Sequence, residues 1–265
     1  MRQNGALSDL NILQEISVTD TTLLAPEVEP PLCPHCAKPE FLCVCDAIEP
    51  LQTKVGLLIL QHPQEQDRQL GTAKLAHRAL KNSVLKIGLS WPSLGKALGR
   101  EADPGDWAVL HLGATRPTDL PRDREVVVLD KKGVSLPDQD KALAGIKGVV
   151  IFDGSWAQAK TLWWRNAWVL KGRRLALNPR AASLYGQLRR EPRREALSTI
   201  EAAALAISRL EKKPEIETVL LKDFVLMLDK YRAASAAGLI EAPAAAPKKG
   251  RRPPSRAKKS APPSA

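Results

Sequence analysis

Six short apolar runs, at 54–60, 84–89, 107–112, 125–130, 148–153 and 174–179, constrain this chain more than any other feature. Runs such as KVGLLIL and GVVIFD are apolar almost throughout instead of alternating apolar with polar residues. That pattern predicts strands covered on both faces, as in a parallel sheet. Helical patterns over 65–82 and 157–168 lie between them, so the order is that of an α/β fold, a mostly parallel sheet with flanking helices. Beyond 197 the chain reads as helical. Ser198 and Glu201 open one helix at capping-box spacing and Pro214 closes it. The next helix places Leu221, Phe224, Leu228 and Tyr231 on one stripe. With 265 residues, one main domain carrying appendages is expected.

Charge is unevenly distributed. The net formal charge is +11, but no acid follows Glu241 and the Pro/Ala-rich end carries seven Lys or Arg, leaving about +4 for the remainder. Such a segment cannot bury enough apolar surface to fold, so a disordered basic tail is expected over 239–265. It suits phosphate backbones or simple solubility. Residues 1–29 mix charged and polar side chains with no continuous apolar core, and read as a flexible segment without a secretory signal. No run approaches membrane-spanning length, so a cytoplasmic protein with no membrane partner is expected.

All four cysteines fall in CPHCAKPEFLCVC: Cys33, Cys36, Cys43 and Cys45. Two closely spaced thiolate pairs can converge on one tetrahedral zinc ion. Two disulfides are the other possibility, one that a reducing cytosol disfavours. A filled four-cysteine site has no open position for substrate, so the expectation is a structural zinc module over 30–48, with catalysis elsewhere.

In open parallel sheets, ligands bind beyond the carboxyl ends of the strands. Gln61, His62 and Pro63 end or follow the first run; Leu112 and Gly113 end or follow the third; Asp130 ends the fourth. The fifth ends at Asp153, before Gly154, Ser155 and Trp156. No glycine-rich phosphate fingerprint follows any run, which argues against a nucleotidase or an NAD enzyme. On the residues alone Asp153 reads first as the N-cap of the following helix and second as a site carboxylate. Trp163, Trp164 and Trp168, at helical spacing, are expected in the core.

Four strings in order, CPHCAKPEFLCVC, LQHPQEQDRQLGTAKLAHRAL, DGSW and LRREPRREALSTIEAAALA, resemble the DTW-domain proteins over about residues 30–212. Ser155 stands where that family's hallmark usually has threonine, and the hydroxyl is kept. The resemblance implies a SPOUT-like catalytic domain, here 49–238, with a knotted C-terminal half. It implies S-adenosylmethionine as co-substrate, tRNA as partner, and transfer of the 3-amino-3-carboxypropyl arm to N3 of a uridine. Asp153, Ser155 and Trp156 would be catalytic. Leu112, Gly113, Asp130, Gly154, Ser198, Thr199 and Glu201 would bind the donor. His62, Arg68, Arg189, Arg190, Arg193 and Arg194 would bind RNA, accompanied by Arg173, Arg174 and Arg180. The alternatives are a SPOUT-type RNA methyltransferase and a noncatalytic zinc-containing RNA-binding protein.

Overall fold

Covering a strand on both faces requires a helical layer on each side of the sheet. The computed structural model, which describes residues 30–110, 119–189 and 196–240, has this arrangement. Its strands are β1 (Gly56–Gln61), β2 (Ser83–Ile87), β3 (Trp107–Leu110), β4 (Val126–Leu129), β5 (Gly148–Asp153) and β6 (Arg173–Leu177). They form one sheet in the order β2-β1-β5-β3-β6-β4, parallel throughout except where β4 pairs with β6. The helices are α1 (Ala73–Ala79), α2 (Leu94–Leu98), α3 (Gln139–Leu143), α4 (Trp156–Arg165), α5 (Thr199–Glu211) and α6 (Pro214–Ala236). The described residues from Pro31 onward belong to one compact unit.

Side chains alternate along each buried strand even though the sequence does not. Leu57 and Ile59 of β1, with Val149 and Ile151 of β5, enter the core beneath α1, α5 and α6. Leu58, Leu60, Val150 and Phe152 enter a second core beneath α2 and α4. Each such side chain removed from water contributes about 1.5–3 kcal/mol, so β1 and β5 anchor the domain. On α6 the buried stripe is Ile216, Leu220, Phe224, Met227, Leu228 and Tyr231, with Leu221 only partly buried at its margin.

Two of the expected elements differ in the structure. The run at 125–130 is antiparallel, because continuous apolarity reports two covered faces and says nothing of direction. Its outer edge is closed by Gln139, whose amide accepts from Val128 N (2.8 Å) and donates to Val128 O (2.9 Å), replacing a missing neighbour strand. The helix expected over 65–82 shrinks to α1. Ahead of it, the Leu70 carbonyl accepts from Tyr185 Oη (2.5 Å), and the Gln69 and Gly71 carbonyls accept from Lys38 Nζ (2.7 and 3.2 Å). Tertiary donors thus take carbonyls that a helix would have used internally.

The cysteine-bearing segment packs on the same body. Leu42 contacts the cluster of Tyr231 and Ala234, Val44 and Ile48 join the main core, and Lys230 donates to the Cys43 carbonyl. Of the tryptophans on and after α4, Trp168 is buried with its indole N–H on Trp91 O (3.0 Å), and Trp163 tilts against Phe152 at 5.8 Å. Trp164 is 77% exposed and lies outside the core. Among the described residues, no helix is long and apolar enough to cross a membrane.

Candidate functional site

The carboxyl ends of β1 and β5 lie side by side, with Gln61 opposite Asp153 in register. Gln61 Nε2 donates to Asp153 Oδ2 (2.8 Å), and the Thr199 hydroxyl, in the first turn of α5, donates to Oδ1. The His62 N–H donates to the Asp153 carbonyl (3.0 Å). Two segments distant in sequence, the end of β1 and the start of α5, therefore hold one half-buried carboxylate, each oxygen with a donor. These two donors fix the direction of the carboxylate.

Asp153 does not cap a helix. The N-cap of α4 is Ser155, whose Oγ accepts from Gln158 N (3.4 Å) while Gln158 Oε1 accepts from Ser155 N (2.6 Å). The Ser155 hydroxyl is thereby accounted for by capping, and the Asp153 side chain is left to the site. Gly154 is required by close approach: a Cβ there would sit 2.9 Å from Gln158 Cβ and 3.4 Å from His62 Cβ. Trp156 is the first residue of α4 and half-buried. His62 caps the short 3-10 turn Pro63–Glu65, its Nδ1 accepting from Gln64 N (3.3 Å). That fixes the neutral ring's proton on Nε2, which can donate.

The start of α5 divides its residues between two tasks. Thr199 reaches the site. Ser198 and Glu201 form the expected capping box, and Glu201 is fully engaged: it accepts from Ser198 N, Ser198 Oγ, Ser183 Oγ and Leu184 N at 2.6–2.8 Å. Glu201 therefore ties α5 to the 183–184 loop. Tyr185, buried against Phe224 at 5.0 Å, is pushed up to about 12 by its burial and bonds Leu70, fixing the 65–72 loop. The Arg189 guanidinium lies 5.4 Å over the Tyr185 ring, and Arg68 is exposed beside Glu65 at 3.7 Å.

Asp130 lies elsewhere. Because β4 is antiparallel, Leu129 pairs with Arg174 at the start of β6, which puts Asp130 at the amino edge of the parallel strands. There its Oδ1 accepts from Lys132 N and Val134 N (both 2.8 Å), and the Val134 bond leads in holding the carboxyl below its usual range. Leu112, Gly113, Arg190, Arg193 and Arg194 lie outside the described residues. Sequence reasoning noted Gln61, which is 2% exposed, at its strand end without giving it a role, and missed Thr72, whose Oγ1 accepts from Ile200 N at 3.3 Å. The signal for Gln61 was a polar residue ending a fully apolar strand.

The cysteine sulfurs Cys33, Cys36, Cys43 and Cys45 all lie within 4.8 Å of one another and could hold a metal ion. Cys36 and Cys43 Sγ are 3.7 Å apart. Four bonds of about 2.3 Å to a tetrahedral ion would place sulfurs about 3.8 Å apart, whereas a disulfide needs about 2.05 Å.

A family model, the DTW domain, matches residues 30–232. The chain belongs to the DTW domain family. Its DTW core is similar to tRNA-uridine aminocarboxypropyltransferase 2 of Macaca fascicularis, 29% identical over 194 residues covering 72% of this chain and 60% of that protein. The protein of the same name from Mus musculus is 28% identical over 202 residues, covering 72% and 60%. The Drosophila melanogaster protein is 28% identical over 194 residues, covering 72% and 70%. This DTW chain thus spans about 60% of the length of the two mammalian relatives. No solved structure matches it.

Proposed function

We propose that this protein transfers the 3-amino-3-carboxypropyl group of S-adenosylmethionine to N3 of a uridine in tRNA. The observation that carries the reading is the similarity, across 72% of the chain, to proteins named for that activity. The placement of Asp153 supports it, since a fixed carboxylate at the carboxyl edge of a parallel sheet stands where a ligand enters.

The sulfonium donor supplies an electrophilic carbon at the end of its amino-acid arm. Uridine N3 carries a proton at neutral pH and is a poor nucleophile until that proton leaves. Asp153, aligned by Gln61 and Thr199, accepts it, a role worth about 10²–10⁴ in rate. The N3 lone pair forms the new C–N bond, the C–S bond breaks, and sulfur keeps the pair as neutral methylthioadenosine. His62 Nε2 and Trp156 border the same edge and suit contacts to the base, by donation and by stacking. Arg68 and Arg189 would meet phosphates.

The four cysteines fit a closed structural zinc, which would hold the 33–45 segment and, through Leu42 and Lys230, its contact with α6. A SPOUT-like, knotted C-terminal half is part of the proposal, supported by a strand order in which β5 enters between β1 and β3 and β6 between β3 and β4. Cytoplasmic residence belongs to it as well.

The test is the fate of the donor. Purified protein given S-adenosylmethionine and tRNA should release methylthioadenosine in step with RNA modification. Release of adenosylhomocysteine would mean methyl transfer instead, and neither product would leave a noncatalytic RNA-binding protein.

A further inference from the structure

At the amino edge of the sheet, away from Asp153, a pocket of about 290 Å³ opens between the end of β4, α3 and the start of β6. Five cations line it: Lys131, Lys141, Lys171, Arg173 and Arg174. The two arginines are built in. Arg173 Nη1 donates to the Ala142 and Ala144 carbonyls (2.9 and 2.8 Å), and Arg174 Nη1 donates to the Lys131 carbonyl. Each is held by one nitrogen, which leaves the rest of its donor fork for another acceptor. The three lysines are exposed around the rim.

The lining holds a single acid against these five cations. The one acid in the lining, Asp130, turns its Oδ1 onto the backbone of its own loop. None of the five cations forms an ion pair with a described acid. A wider depression of about 1130 Å³ at the same edge differs here: its Lys147 is paired with Asp106 at 2.7 Å, and Glu101 and Asp103 also line it. Five like charges kept together at a self-repulsive cost mark a surface that meets an anion.

We infer that this pocket is a phosphate-binding surface for the RNA backbone, separate from the transfer site. An open mouth rimmed by exposed lysines suits a polymer that passes across it. No described aromatic side chain lines the pocket to stack a base, as a free nucleotide would require. A six-residue strand rises about 20 Å, so the surface stands about that far from Asp153, within the span of a folded RNA. Contacts at that distance would fix how the RNA lies without touching the reacting base. The inference rests on the RNA substrate proposed above.

The test is tRNA binding as a function of salt for wild type and for the triple variant Lys131→Gln, Lys141→Gln, Lys171→Gln. A control variant carries Lys81→Gln, Lys96→Gln, Lys222→Gln, three exposed lysines elsewhere. Transfer at saturating tRNA is measured beside it. The rim variant should bind about 10-fold or more weaker, with a log–log salt slope shallower by about 2–3. The control should change little, and maximal transfer should be kept. A rim variant with unchanged affinity and slope overturns the inference, while transfer by wild type leaves the proposed function standing. A shallower slope in a protein that transfers nothing supports the surface and overturns the reaction. A wild type that does not bind RNA overturns both.

Discussion

At Asp153 the two obvious substitutions should behave differently, and the neighbours say why. Replacing it with asparagine keeps an acceptor for the Thr199 hydroxyl. The Gln61 amide can then turn so that its oxygen accepts from the new amide N–H. Folding should be almost unaffected, while transfer, on the proposed role of Asp153 as base, should fall by about 10²–10⁴. Asp153→Ala instead strands the buried Gln61 amide and should cost about 1–3 kcal/mol of stability as well. Paired melting and single-turnover measurements separate these effects, and equal melting of both variants would contradict the network. Much of the site was visible in the residues: an acid ending a strand in front of Gly154 and Trp156. The partnership with Gln61 and Thr199 was not, because register and helix docking bring together positions 61, 153 and 199. Capping was open between two roles for Asp153 until Ser155 took it.

At the scale of elements, β3 and β5 fit through one glycine. A Cβ at Gly148 would lie 2.5–2.6 Å from three atoms of the buried Trp107 indole. Gly148→Ala should therefore destabilise by about 3 kcal/mol, at the upper end for overpacking, as measured by denaturant midpoint. On α6, Asp223 is 5% exposed, its Oδ2 lacks a partner among the described residues, and burial raises its carboxyl pKa. Its folded value thus lies above its unfolded one, so its contribution is favourable at acid pH and is lost as pH rises through the folded value. Asp223→Asn should stabilise the protein at pH 7 by on the order of 1 kcal/mol, with the gain vanishing at acid pH. A pH-independent difference would contradict the assignment. The strands were legible from apolarity because both sheet faces are covered. The direction of β4, and with it the place of Asp130, was not, since apolarity carries no direction. The five-residue helices α2 and α3 are too short to show a period.

At the scale of the molecule, the cysteine cluster shares its packing with α6 and the main core, so metal and fold should be coupled. Stripping zinc from the loaded protein with a chelator should lower the melting temperature in a single transition of the whole domain. A local change that left that transition in place would show the cluster to be an ornament. Burial pushes the Cys43 and Cys45 thiols above their ordinary range, so binding a metal must displace protons. Zinc should accordingly be released as pH falls. The spacing of the four cysteines foretold their convergence, but not that Leu42 and Lys38 would tie their segment to the loop beside β1. The claim on which the rest depends is that Asp153 serves the transfer of an aminocarboxypropyl arm to a uridine. Mass analysis of nucleosides from tRNA incubated with S-adenosylmethionine tests it most directly. Wild type should yield aminocarboxypropyluridine, and Asp153→Asn, folded to the same stability, should yield almost none. A methylated nucleoside, or equal product from both proteins, would contradict it.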